Sequence, residues 1–242
     1  MKIPTLQGVI KRRILVNYRA KPETIQKLLP KGFRPKLYKG KAIAGICLIR
    51  LEHIRPKYTP EFVGTSSENA AHRIAVLWKD ENGKTNEGVY IPRRDTNSFI
   101  NSTIGGKLFP GEHHKANFDV SENGNEINFS MKSEDGTVSI KFAGTKFIKF
   151  RENSVFSSLI EASNFFEKGS LGYSATKDEK NLDGIILDIK NWKVEPLEID
   201  FVESSFYDDE TIFPKGTIEF DHALFMKDIS HEWYSAQSFE LK

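Results

Sequence analysis

"EHHKANFDVSENGNEINFSMKSEDGTVSIKF", Glu112 to Phe142, is the stretch whose reading decides the fold. Asn123-Gly124 and Asp135-Gly136 divide it, and both dipeptides readily take the positive φ angles of a tight hairpin. Between these turns apolar residues recur at every second position: Ala116, Phe118 and Val120, then Ile127, Phe129 and Met131, then Val138, Ile140 and Phe142. Side chains alternate across a strand, so each set lies on one face. The segment from Glu112 to Phe150 therefore reads as an antiparallel meander with one core face.

The same pattern continues on either side. "HRIAVLWKDENGKTNEGVYIPR", His72 to Arg93, reads as two strands joined at Glu81-Asn82-Gly83-Lys84, and "DGIILDI", "LEIDFVESSF" and "GTIEFDHALFM" are strand-like segments after Leu171. Helices are few. "KPETIQKLLPKGF" places Pro22 in a first turn and stops at Pro30 and Gly32. "NSVFSSLIEASNFFEKGS" offers Ser154 as an N-cap, an apolar stripe of Val155, Leu159, Ala162 and Phe166, and a stop at Lys168-Gly169. There is no internal repeat, low-complexity tract or linker, so residues 1–242 are expected to form a single, mainly β domain.

Composition narrows the function classes. Of 242 residues, 38% are hydrophobic and 28% charged, which is globular composition, and no apolar run approaches the ~20 residues of a membrane span. The 35 basic and 33 acidic residues are well mixed and leave a net charge of +2, so no concentrated field for nucleic acid or an anionic membrane is evident. "IKRR", Ile10 to Arg13, is the densest basic stretch and reads as the solvated face of a strand. The N-terminus lacks the apolar core of a secretory signal, which makes a soluble, cytoplasmic protein the expectation. The one cysteine, Cys47, lies within "AIAGICLIRL" and reads as a buried, inert thiol.

Ionisable residues at strand ends are the candidate site. From Glu112 onward, His114 shares parity with Ala116, Phe118 and Val120, whereas His113, Lys115, Asn117 and Asp119 form the opposite, polar set. This carries His114 and Glu112 toward the interior and sends Lys115 to solvent. In "SSENAAHRIAVLW" the even positions run from Glu68 and His72 into Ile74, Val76 and Trp78, so Glu68 and His72 belong at one end of a buried face. In "YIPRRDTNSF", Arg93 and Arg94 point in different directions, and one of them could clamp a carboxylate. Capped loops, a polar barrel lip and surface ion pairs with Asp95 would give the same patterns.

"SSENAAHR", "GVYIPRRDT", "GGKLFPGEHHKA", "FFEKGSLGYSAT", "VEPLEIDFVESSF" and "SHEWY" together resemble an uncharacterised bacterial family, domain of unknown function family 2071, of the acetoacetate decarboxylase-like superfamily. The resemblance runs from Gly8 to Tyr234. It implies a single closed, largely antiparallel β-barrel or cone with peripheral helices and an internal pocket. Acetoacetate decarboxylase itself carries a Gly-Arg-Glu-x-Trp-Gly-Phe-Pro-Lys-Lys run, in which the first lysine forms the Schiff base and the second lowers its pKa. Laid without gaps on Gly106 to Lys115, the run sets His114 under the Schiff-base lysine and Lys115 under its neighbour. Imidazole cannot form that imine, and a one-residue shift along a strand points Lys115 to the other face unless a bulge at Gly111 intervenes.

Two functions remain. One is an enzyme acting on a small oxo-acid or carbonyl compound, with His114 as general acid or base, Glu68 or Glu112 setting its protonation, and Arg94 or Arg93, with His72 and Lys115, contacting substrate. The other is a binding or sensing protein that keeps the pocket without turnover. The expected partner is a small organic acid, with neither nucleic acid nor membrane, and self-association as a homo-oligomer stays open. No cofactor is expected; a zinc site from His72, His114 and a glutamate has suitable ligand types but no supporting local spacing, so no metal is expected either.

Overall fold

The computed structural model describes residues 4–98, 111–176 and 180–241. Among these residues fourteen strands form one continuous sheet system. In chain order they are β1 (Leu6–Ala20), β2 (Arg34–Pro35), β3 (Leu37–Tyr38), β4 (Lys41–Pro56), β5 (Thr65–Lys79), β6 (Thr85–Thr96), β7 (His113–Asn123), β8 (Glu126–Ser133), β9 (Ser139–Lys146), β10 (Leu171–Ser174), β11 (Asn181–Ile189), β12 (Glu195–Ser204), β13 (Ile218–Ser235) and β14 (Phe239–Glu240). The meander stands as β7–β8–β9, with turns at Gly124 (φ 60°) and Gly136 (φ 72°). Phe129 and Phe142 face each other in register and stack at 5.4 Å between ring centroids.

Closure comes from two circuits. β6-β7-β8-β9-β12-β13-β1-β4-β5 returns to β6 and makes a nine-stranded barrel, mostly antiparallel, with β6 and β7 parallel. A second, smaller ring leaves β6 through β10 and β11 and rejoins at β13, so β13, β1, β4, β5 and β6 wall both lobes. Each shared strand consequently buries both faces. In β4, Ile46 and Leu48 point into the large barrel while Cys47 and Ile49 point into the small lobe. That is why "AIAGICLIRL" is apolar without alternation.

Among the described residues two α-helices lie at the edge: α1 (Pro22–Gln26) and α2 (Leu159–Glu167), the latter packing Ala162, Phe165 and Phe166 on the small lobe. The α2 N-cap is Ser158, whose Oγ accepts from Glu161 N at 3.2 Å, and Ser154, expected to cap it, is used elsewhere. Ser154 Oγ donates to Asp221 at 2.6 Å and the Val155 amide donates to the same carboxylate at 2.9 Å, which ties this segment to β13 and delays the helix by one turn. Among the described residues no helix is long and apolar enough to cross a membrane.

Candidate functional site

The small lobe holds a cavity of about 110 Å³ between the shared wall and the segment that runs from Gly169 through β10 and β11. Most of its wall comes from strand positions of one parity, Arg13 on β1, Cys47 and Ile49 on β4, Asn69, Ala71 and Arg73 on β5, while Ala70 and Asp95, the latter paired with Arg93, also border it. Arg94 reaches the same side through an irregularity. Between β5 and β6 the register shifts, so Ile74 pairs with Tyr90 but His72 pairs with Arg93. The extra residue falls at Ile91-Pro92, where proline offers no N–H to the ladder. Without this bulge Arg94 would share the face of Tyr90, which lies in the large barrel; with it, Arg94 pairs with Ala71 and lines the small lobe.

The parallel β6–β7 pairing then decides between the two histidines. Arg94 is matched with His113 and Asp95 with His114, so His113 borders the cavity and His114 turns to the opposite face. Gly111, at φ 89°, permits this approach, because a Cβ there would lie 2.5 Å from Ser174 Cβ. β10 thus covers the start of β7 but not its continuation: Lys115, Asn117 and Asp119 are exposed.

Three guanidiniums line the cavity. Arg94 Nε donates to Ser174 Oγ at 3.0 Å, Arg13 Nε donates to Cys47 Sγ at 3.3 Å, and Arg73, 6% exposed, donates to Asn17 Oδ1. Among the described residues none of the three has a carboxylate within ion-pair distance. Nη1 of Arg13 and Nε of Arg73 are buried without a protein partner. Burial lowers the pKa of both Arg73 and Arg94 to about 10, which still leaves each charged at neutral pH. His113 is held neutral: burial, with the charge on Arg94 adding to it, lowers its pKa to about 3. Its Nδ1 faces Gly111 O at 3.3 Å, an acceptor only, so Nδ1 is the donor in the neutral ring.

A buried chain of hydrogen bonds supports Arg73. Asn17 Nδ2 donates to His222 Nε2 at 3.0 Å, so the proton of this imidazole sits on Nδ1 and is donated to Asp221 at 2.6 Å. Ser154 Oγ and Arg19 Nη1 also donate to Asp221. Burial would raise the Asp221 pKa, but the hydrogen bonds from His222 and Ser154 outweigh it and hold it below the usual value. Arg73 is therefore coupled to a carboxylate only through two neutral side chains, and its guanidinium lies over the Phe166 ring at 4.8 Å with no carboxylate beside it.

Of the residues singled out in the sequence, Arg94 borders this cavity. His114, Arg93, Glu68 and His72 lie on the large-barrel face, where ion pairs and rings occupy them. Arg93 contacts both Asp95, at 2.8 Å, and Asp135, at 2.9 Å, and His114 Nδ1 lies 3.2 Å from Asp135. Glu68 receives Arg12 at 2.6 Å, and Arg12 bridges on to Glu122 at 2.7 Å. Burial raises the pKa of Glu68, against the opposing pull of Arg12, and that of Asp95, against Arg93. His72 is fully buried against Phe206 and Tyr207. Glu112 is exposed, and Lys115 is exposed and paired with Glu134 at 3.0 Å. Residues 105–110 of the decarboxylase-like run lie outside the described residues.

One buried face per strand leaves His113 aside and makes "IKRR" a solvated face, whereas Arg12 is buried and Arg13 lines the cavity; that pattern leaves Arg73, Asn17 and His222 unmarked. The available signal was the placing of arginines within otherwise apolar strands, as in "AAHRIAVLW". Among the described residues no group of three or more His, Cys, Asp or Glu side chains could hold a metal ion.

Comparison with known proteins fits this architecture. The model of the family DUF2071, described as "Uncharacterized conserved protein", matches residues 9–212, so the chain belongs to that family. No curated protein matches it. Among solved structures, acetoacetate decarboxylase from Legionella pneumophila subsp. pneumophila str. Philadelphia 1 superposes with a TM-score of 0.65 at 11% identity, covering 98% of this chain and 89% of that one. An acetoacetate decarboxylase-like enzyme from Sphingomonas wittichii RW1 gives 0.59 at 12% identity over 99% and 93% of the two chains. The enduracididine biosynthesis enzyme MppR, complexed with pyruvate, gives 0.57 at 10% identity over 100% and 92%. At these identities the likeness is one of fold.

Proposed function

We propose that this DUF2071 member takes a small organic acid into the small-lobe cavity and acts on its carbonyl group without a Schiff-base lysine. The observation that carries the reading is the set of three guanidiniums, Arg13, Arg73 and Arg94, facing a small cavity with no carboxylate partner among the described residues. A buried cation without a counter-charge is costly, and a ligand carboxylate supplies that charge through charge-assisted hydrogen bonds worth about 1.5–3 kcal/mol each. Apolar wall residues such as Ile49, Ile91 and Ile185 suit the remaining carbon skeleton. The fold neighbours include an acetoacetate decarboxylase and an enzyme complexed with pyruvate, both consistent with an oxo-acid.

In this reading Arg94 and Arg73 hold the carboxylate and His113 stands beside the adjacent carbonyl. A bound anion offsets the field of Arg94, one of the two main causes that keep the His113 pKa low, and so raises its basicity only once substrate is in place. Among the described cavity residues no lysine is present to form an imine. The weak basicity of His113 also favours a second reading, binding without turnover.

The test is thermal unfolding with millimolar acetate, acetoacetate and pyruvate. Each is expected to raise the Tm, with Arg94→Ala weakening binding by roughly tenfold to a hundredfold, the loss of one charge-assisted hydrogen bond. If no acid shifts the Tm of the native protein, the reading falls. Loss of acetoacetate or pyruvate followed by NMR separates turnover from binding.

A further inference from the structure

Cys47, the one cysteine of the chain, is buried at the middle of β4 and borders the cavity. Arg13 Nε donates to its Sγ at 3.3 Å, and Arg73 and Arg94 line the same cavity. Independently, Arg73 is 94% buried in the same wall, and its Nε has no protein partner. A thiol and three guanidiniums thus line one cavity of about 110 Å³. Nothing in the oxo-acid reading uses the thiol.

We propose that Cys47 is a site of covalent capture for small acids that carry an electrophilic carbon next to their carboxylate. The inference rests on the organic-acid reading above. The guanidiniums fix the carboxylate, and in so small a cavity the neighbouring carbon is then held against the cavity wall that carries Sγ; a neutral electrophile has no such anchor. With a 2-oxo acid, a sulfur lone pair forms the C–S bond to C2. The carbonyl π pair moves to oxygen, and the proton given up by the thiol ends there. The product is a hemithioketal, and no atom leaves. With an α-halo acid, sulfur displaces halide, which leaves with the C–X bonding pair, and the thiol proton passes to water.

The experiment compares iodoacetate with its neutral isostere iodoacetamide on the native protein, followed by intact-mass spectrometry. With a single cysteine, an adduct removed by Cys47→Ser reports this site. Iodoacetate is expected to react faster by about tenfold or more, within the range of electrostatic enrichment in a cationic cleft, the reverse of the order for a free thiol. Arg94→Ala should abolish the preference, and millimolar pyruvate should slow labelling by iodoacetate. Equal or faster labelling by iodoacetamide, or labelling only after denaturation, overturns the capture site. If acids raise the Tm but iodoacetate shows no preference, capture fails while organic-acid binding stands. If neither effect is seen, both fall.

Discussion

His72 gives the sharpest quantitative test of the fold. Its ring is fully buried, with centroids 4.8 Å from Phe206 and 5.6 Å from Tyr207, and neither nitrogen has a protein partner among the described residues. Burial, reinforced by Arg93, lowers its pKa from 6.5 to about 3. The sign follows from proton counting. Above pH 6.5 the histidine is neutral in both states and linkage contributes nothing. Between pH 6.5 and about 3 the unfolded chain binds a proton that the folded protein refuses, so stability is lost as pH falls. At about 1.4 kcal/mol per pH unit, moving from pH 7.5 to pH 5 removes about 2 kcal/mol. His72→Leu deletes this loss, and because it exchanges an unpartnered polar ring for an apolar side chain it should cost little at pH 7.5. Urea unfolding of both proteins at the two pH values is the assay. The other buried histidines titrate in both and cancel in the difference, as do the opposing contributions of Glu68 and Asp95, whose carboxyls burial pushes up. The variant is expected to gain about 2 kcal/mol on the wild type between pH 7.5 and 5. A difference that stays constant with pH would show that His72 is hydrated or paired, and the burial argument would be wrong.

Two further outcomes follow from the ion pairs and the exposed lysine. Arg12→Leu leaves Glu68 buried without its 2.6 Å partner and is expected to cost about 3–5 kcal/mol in denaturant unfolding, with most of the loss recovered by adding Glu68→Gln; strictly additive single effects would refute the coupling. Incubation with acetoacetate and borohydride should leave the protein mass unchanged, since Lys115 is exposed and paired with Glu134, and a stable adduct on Lys115 would contradict that placement.

Local chemistry in the sequence was enough for the meander, whereas closure into a barrel came only from the family resemblance. Asn-Gly and Asp-Gly fix where the chain reverses, strict alternation fixes which side chains of β7, β8 and β9 face inward, and these are short-range effects that need no knowledge of partners. The site was not legible in the same way. Alternation names two faces but cannot say that both are covered, and here a second ring through β10 and β11 turns the nominal outer face of β1, β4, β5 and β6 into a cavity wall. One bulge at Ile91-Pro92 then moves Arg94 to that wall, and the parallel pairing of β6 with β7 brings His113 beside it while His114 goes to Asp135. Bulges and strand partners are set by contacts between residues far apart in the chain, so the choice between adjacent histidines belongs to the tertiary structure alone.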